Sequence, residues 1–140
     1  MSQSDIRQTS YALDGSDDSA AEAREYAHAF FAKAVPELPA ALIRDALLAV
    51  SELVTNAVRH APGPCTLLLT DDGRCITIAV SDTHTDLPFP RPADFDGGGG
   101  LGWYVLSALA GDIRTQRHPG GKTVSVALDR QREDTAAVRT

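Results

Sequence analysis

The sequence predicts an α/β fold, a two-layer sandwich in which three helices cover one face of a mixed, mostly antiparallel sheet. Apolar residues recur at three- and four-residue spacing over residues 39–61, which is the strongest helical signal in the chain. Two pairs of short β-like runs surround turn residues at 72–73 and 119–121, which is typical of hairpins. With 140 residues, 43% of them apolar, the chain fits one globular domain.

The first part of the chain predicts one strand and two helices. Residues 7–13 alternate weakly between apolar and polar and predict a strand. The Asp and Ser residues that follow offer helix N-caps, and an Ala-rich segment predicts a helix over about residues 18–34. Prolines 36 and 39 end that helix, because a proline disfavours helical geometry in the preceding residue. The second helix, over 39–61, ends before Pro62.

The next element is a hairpin with strands at 65–70 and 75–81. A two-residue loop at residues 72–73 would place Cys75 opposite Thr70. Cys65 and Cys75 would then lie too far apart for a disulfide. A disulfide-free chain fits a reducing compartment.

The last part of the chain predicts a loop, a helix and a second hairpin. Residues 84–96 contain several Pro and Asp residues without periodicity and predict a loop. Four glycines then precede a short apolar helix at about residues 101–110. Strands near 112–118 and 122–128 follow. We expect the domain to span 10–128, with a flexible N-terminus at 1–9 and a polar tail at 129–140.

Charge and hydropathy exclude two classes of partner. The chain has 13 Lys and Arg residues against 19 Asp and Glu residues, and its net charge of -6 leaves no broad basic face for nucleic acid. No stretch reaches about 18 consecutive apolar residues, and the N-terminus lacks a signal-peptide pattern. We therefore expect a cytoplasmic protein that binds neither nucleic acid nor membrane.

Three polar residues follow one another at four-residue spacing along the second helix. Glu52, Asn56 and His60 each turn by about 40° from the previous one, so they line one flank beside the apolar stripe. A carboxylate and an amide there could bind a metal–phosphate unit, with the carboxylate orienting or deprotonating a nucleophile. A solvated helix flank is the alternative interpretation, because amphipathic helices commonly carry such residues.

The glycine run forms a second candidate site. Gly98, Gly100 and Gly102, with Leu101 among them, lie directly before an apolar helix. Backbone N–H groups at a helix N-terminus attract anions such as phosphate, and glycines let the anion approach. A flexible hinge is the alternative interpretation.

Two residues on predicted strands complete the candidates. Asp82 closes an apolar strand, where its carboxylate could accept a hydrogen bond from an exocyclic amine or serve as a turn residue. Thr123 follows Gly120-Gly121-Lys122 and by position alone belongs to a hairpin strand.

Taken in order, these patterns resemble the GHKL ATP-binding fold, also called the Bergerat fold. In size the chain is similar to the small bacterial anti-sigma factor serine/threonine kinases, and the resemblance covers residues 10–128. It implies binding of ATP and Mg²⁺, with Asn56 coordinating the metal and Glu52 acting as base or orienter. Asp82 would hold the adenine amine, assisted through water by Thr123. The other residues placed around the nucleotide are Arg59, His60, Gly98, Gly100, Leu101 and Gly102.

The resemblance also implies a function. The protein would use Mg·ATP to phosphorylate a serine or threonine of an anti-anti-sigma (STAS-type) protein, and it would sequester a sigma factor. Exposed Arg24 and Arg44 would contact these partners, and similar proteins commonly form homodimers.

Two alternative functions stay open. Where the family usually has Asp-x-Gly-x-Gly, this chain has no glycine over residues 82–86, which favours a non-catalytic binding module, ATP-dependent or nucleotide-free. A solitary ATPase or a detached histidine-kinase catalytic domain is a further alternative.

Overall fold

A five-stranded sheet and two long helices make up the described part of the protein. The computed structural model describes residues 6–61, 63–83, 106–108 and 112–130. In chain order the elements are β1 (Arg7–Leu13), α1 (Ser19–Ala34), α2 (Ala40–His60), β2 (Cys65–Asp71), β3 (Cys75–Asp82), β4 (Asp112–His118) and β5 (Gly121–Asp129). Each bound lies within one residue of the sequence prediction.

The strand order is β1-β2-β3-β5-β4, and all four neighbouring pairs are antiparallel. Because β5 lies between β3 and β4, the chain crosses from β3 to the edge strand β4 before it returns. This register places Asp82, the last residue of β3, opposite Lys122 near the start of β5. The predicted mostly antiparallel α/β fold is confirmed.

The helical layer is built around the apolar stripe of α2. This helix ends where the Ala61 N–H donates to the Ala57 carbonyl. In α1, Phe30 and Phe31 are buried in the same core, with ring centroids 5.6 Å apart. The stripe of α2 consists of Leu42, Ala46, Ala49, Val50, Leu53, Val54 and Ala57. Neither of these helices is long and apolar enough to cross a membrane.

The third predicted helix is described only in part. Residues 106–108 are helical, and Leu106 is fully buried in the core. The rest of the helix predicted at 101–110 lies outside the described residues. So does the predicted loop at 84–96.

The face of the sheet that packs against the helices carries apolar side chains. At one end of β3 and β5 this face carries polar side chains instead. Successive side chains of a strand point to opposite faces. On β3 the core-facing side continues through Val80 to Asp82, and on β5 it begins with Lys122 and Val124. Both polar residues therefore lie where the apolar layer ends, beside the C-terminal half of α2.

The β2–β3 hairpin has a longer loop than the sequence predicts. Thr70 lies opposite Thr77, not opposite Cys75, so the two-residue loop was wrong by two positions. The physical reason is the Asp72 carboxylate, which accepts N–H groups of both Arg74 and Cys75 at 2.8 Å. A two-residue shift keeps every side chain on its predicted face, and both cysteines are free thiols.

Described residues on both sides of the predicted span 10–128 contribute to the fold. β1 begins inside the segment 1–9 that was predicted to be flexible, because Arg7 starts the pairing with β2. After β5, the Arg130 guanidinium donates to both carboxylate oxygens of buried Asp71, at 3.2 and 3.3 Å. It also donates to Glu37 at 3.0 Å, which ties the end of β5 to the α1–α2 connection.

Candidate functional site

The polar flank of α2 borders the end of the sheet that carries Asp82. Glu52 and Asn56 are half-buried, and His60 is exposed at the end of the helix. Asn56 and His60 line a cavity between α2 and the sheet, and Glu52 lies one turn before them. Within the described part of the chain, neither Glu52 nor Asn56 has a side-chain hydrogen bond or ion pair. Both polar groups are therefore available to a ligand.

Asp82 forms a buried ion pair with Lys122. The Lys122 Nζ lies 2.9 Å from Oδ2 of Asp82, and the two side chains are 6% and 3% exposed. The strand register places the two residues opposite each other, and alternation points both toward the helices. A buried carboxylate needs a cation or hydrogen-bond donors, since unpaired burial costs several kcal/mol. Lys122 supplies that cation.

The ion pair depends on a close approach of β5 to β3. Gly121 precedes Lys122, and a Cβ atom at this position would collide with the main-chain carbonyl of Asp82. Gly120, with φ of 90°, completes the turn from β4 in a conformation that favours glycine. The two glycines therefore allow the close approach of β5 to β3 that brings the Lys122 ammonium group to Asp82.

A small cavity separates this ion pair from α2. Its volume is about 20 Å³, which is room for about one water molecule. Apolar groups form most of the wall, and polar atoms come from both the helix and the strand ends. The lining residues are Leu53, Asn56, Ala57, His60, Ala61, Val80, Asp82, Lys122 and Val124.

The structure does not bring Thr123 to Asp82. Because Thr123 follows Lys122 in β5, its side chain lies on the other face of the sheet. There its hydroxyl lies 2.7 Å from the Ser81 hydroxyl and 3.1 Å from Nε2 of His118. The side chain that meets Asp82 is Lys122, a residue that the sequence prediction did not include.

Arg59 and His60 face different sides of α2. His60 lines the cavity beside Asp82, whereas Arg59 lines a separate depression of about 320 Å³. Adjacent helical residues differ by about 100°, which explains the separation. The structure therefore brings His60 to the candidate site and places Arg59 outside it. The other residues of the depression are Ser16, Asp17, Ala20, Thr55 and Val58.

Cys65 is a buried free thiol near this end of the sheet. Burial raises the pKa of the Cys65 thiol, and the negative charges of Asp82 and Asp14 raise it further. A protonated thiol is a poor nucleophile and a poor metal ligand. No group of three or more His, Cys, Asp or Glu residues among those described is arranged to hold a metal. A divalent cation here would depend on Asn56 and on oxygens of a ligand.

The remaining predicted residues lie outside this cavity. Arg24, exposed on α1, donates from Nη1 to Oγ of Ser51 at 3.1 Å, and Arg44 is exposed on α2. Their contacts with partners stay predictions. The predicted phosphate-binding residues Gly98, Gly100, Leu101 and Gly102 lie outside the described residues.

The sequence of the folded domain matches a known family. Residues 14–128 match the family description "Histidine kinase-like ATPase domain". The chain belongs to this family. The matched region includes the α2 flank, Asp82 and Lys122, and the resemblance predicted from the sequence is confirmed.

A solved structure shares the fold. The crystal structure of the RsbU and RsbW domains of Rv1364c from Mycobacterium tuberculosis is similar with a TM-score of 0.65 and 19% sequence identity. The similarity covers 87% of this chain and only 31% of that chain. At this identity the similarity shows the fold alone. No curated protein matches the chain.

Membership of this family implies ATP, accompanied by Mg²⁺, as the ligand. Glu52 and Asn56 fit the metal and phosphate side, because Mg²⁺ prefers oxygen ligands and usually shares them with phosphates. The residues that the resemblance places around the base fit a nucleotide less well. Lys122 already forms an ion pair with Asp82, and the cavity beside them holds about one water. The Lys122 ammonium group lies at Oδ2 of Asp82, the carboxylate to which the family resemblance assigns the base.

Proposed function

We propose that this domain is an anti-sigma-type regulatory kinase. It would transfer a phosphoryl group from Mg·ATP to a serine or threonine of an anti-anti-sigma protein, and it would bind a sigma factor. One observation carries the proposal: Glu52 and Asn56 have no side-chain partner among the described residues, they share one flank of α2, and Asn56 lines the same cavity as Asp82. The sequence resemblance and the fold shared with an RsbW domain support it.

The chemistry is divided between two adjacent turns of α2. Asn56 would hold Mg²⁺ through its amide oxygen, and the bound ion would neutralise charge on the phosphates. Glu52, one turn earlier, would accept or orient the proton of the attacking hydroxyl. The backbone N–H groups of Gly98, Gly100 and Gly102 would hold phosphate oxygens at a helix N-terminus.

A transfer assay with Mg·ATP and STAS-type proteins tests the proposal. Glu52→Gln should lower phosphoryl transfer about 100-fold or more, because a positioned base contributes that much. Its ATP affinity should stay within about twofold of wild type. Glu25→Gln, on the exposed side of α1, is the matched control and should transfer normally.

Other outcomes would identify a different activity. Transfer that survives Glu52→Gln would contradict the role of Glu52. Phosphate released without an acceptor would indicate a solitary ATPase, and a phosphorylated histidine would indicate a histidine-kinase catalytic domain.

Partner contacts are tested on α1. Arg24→Glu should weaken sigma-factor or STAS-protein binding without changing ATP affinity, because Arg24 does not line the cavity. Equal partner binding by this variant would rule out the predicted contact.

A second candidate function is a nucleotide-free binding module. The Lys122–Asp82 pair favours it, because this pair occupies the position expected for the base. The module would form tight partner complexes whose affinity does not change with ATP, and it would phosphorylate nothing. Binding assays with and without Mg·ATP discriminate the two functions.

A further inference from the structure

The pocket expected to receive the nucleobase already contains a hydrogen-bond donor from the chain itself. Lys122 reaches from β5 to Asp82 at 2.9 Å, and both side chains are almost fully buried. The remaining space is about 20 Å³, which admits about one water. Pockets for small molecules are typically about 300 Å³ or larger. The lysine side chain therefore fills space that a ligand would need.

The lysine and an adenine base can both donate hydrogen bonds to Asp82. An ammonium group offers N–H donors to a carboxylate, and so does the exocyclic amine of adenine. The lysine bond is assisted by charge, which makes it the stronger of the two. A base that replaces Lys122 must also separate the buried carboxylate from the charge of the lysine.

We propose that Lys122 is an internal competitor of the nucleobase. Its ammonium group occupies Asp82 in the closed pocket, and nucleotide enters only when the flexible side chain withdraws toward the Gly120-Gly121 turn. Apparent nucleotide affinity is then reduced by the fraction of molecules in which the pocket is closed. This inference rests on the proposed nucleotide-dependent function.

Titration calorimetry with Mg·ATP tests the competition. Lys122→Thr shortens the side chain and removes the charge, so it should bind ATP about tenfold or more tightly than wild type. Lys122→Arg keeps a cation and should bind no more tightly than wild type. Lys33→Thr, at the other lysine of the chain, is exposed on α1 and should leave the affinity unchanged.

A nucleotide with a different base distinguishes competition for Asp82 from a general effect of the substitution on nucleotide affinity. Inosine triphosphate carries a carbonyl where adenine carries its amine, so it offers no such donor to Asp82. The increase in nucleotide affinity caused by Lys122→Thr should therefore be about fivefold larger for ATP than for inosine triphosphate. Equal gains would overturn competition for Asp82.

The outcomes distinguish this inference from the proposed function. If the wild-type protein binds ATP as tightly as the folded Lys122→Thr variant, or more tightly, the proposed competition is wrong. The proposed function is not affected by that result. No ATP binding by either folded protein would overturn both. Circular dichroism verifies that the variants are folded.

The wild-type protein provides a second test that needs no variant. Lys33 and Lys122 are its two lysines, so amine acetylation followed by mass spectrometry reports on each separately. Lys122 should react about tenfold or more slowly than Lys33 without nucleotide, and faster once Mg·ATP is bound. Equal rates without nucleotide would overturn the inference, as would stronger protection of Lys122 in the presence of ATP.

Discussion

Asp71 and Asp82 are the last residues of two paired strands and lie at opposite ends of the sheet. Both carboxylates are buried, and each meets a cation from an end of β5. Both oxygens of Asp71 accept from Nη1 of Arg130, and one of them also accepts from the Gly73 N–H at 3.1 Å. Asp82 receives the Lys122 ammonium beside a cavity lined by α2.

The Asp71–Arg130 pair is structural, whereas the Asp82–Lys122 pair lies in the candidate site. A guanidinium group is rigid and planar, and that of Arg130 is held by two carboxylates, Asp71 at Nη1 and Glu37 at Nη2. An ammonium on four methylene groups is flexible, and the cavity beside it has polar residues of α2 in its wall. A buried carboxylate paired with a cation therefore ties the end of β5 to β2 at one end of the sheet, and at the other end it is the group for which we propose that Lys122 and the nucleobase compete.

The largest effect is expected at Asp71. Asp71→Asn removes the charge that pairs with Arg130 and should lower the free energy of unfolding by about 3 kcal/mol or more. Urea denaturation followed by circular dichroism measures the loss. Glu25→Gln, an exposed change of the same kind, should change it by less than about 0.5 kcal/mol.

A smaller loss of stability is expected at Lys122. Lys122→Thr leaves Asp82 charged, but water can enter the enlarged cavity and hydrate the carboxylate, which limits the cost to about 1–2 kcal/mol. Urea denaturation of this variant beside Asp71→Asn makes the comparison direct. A loss at Lys122 equal to that at Asp71 would mean that both pairs are equally structural.

The face of the sheet on which Thr123 lies gives a further test. Thr123→Val removes the hydrogen bond with Ser81 and should lower the free energy of unfolding by about 1 kcal/mol. ATP affinity, measured by calorimetry, should stay within about twofold of wild type because Asp82 faces the other side. A clear fall in ATP affinity would instead support the role of Thr123 implied by the family resemblance.

The smallest effect concerns Asp72 and pH. The N–H groups of Cys75 and Arg74 hold the pKa of the Asp72 carboxyl below its usual 3.8. Because the folded pKa is depressed, this stabilisation is complete above the unfolded value and disappears as pH falls through the folded value. Solvent screening limits it to below about 0.5 kcal/mol.

Urea midpoints between about pH 6 and pH 2.5 test this effect. Asp72→Asn keeps a carbonyl acceptor but does not ionise, so it should lose slightly less stability on acidification than wild type. Identical pH profiles would show that Asp72 does not contribute.

The elements of the fold could be predicted because they depend on local patterns. The apolar stripe of α2 and the turn residues between strands set the element bounds to within one residue. The flank of Glu52, Asn56 and His60 follows from helical spacing alone. The β2–β3 register was wrong because a side-chain acceptor, Asp72, lengthened the loop.

The position of Lys122 could have been predicted in part. Alternation along β5 places Lys122 on the same face as buried Val126 and Leu128, and a lysine in such a pattern is unusual. Its partner could not be read from the pattern, because Asp82 lies on a different hairpin. Sequence spacing predicts on which face of the sheet a side chain lies, but not which residue of the neighbouring strand lies opposite it.

The sequence by itself determined the helices, the strands and the polar flank of α2, because periodicity and turn chemistry act over a few residues. Tertiary structure decided which cation meets which carboxylate. The pairing of β3 with β5 brings Lys122 and not Thr123 to Asp82, and the residue after β5 reaches Asp71 across 59 positions of sequence. Such contacts depend on strand order and register, which long-range packing selects.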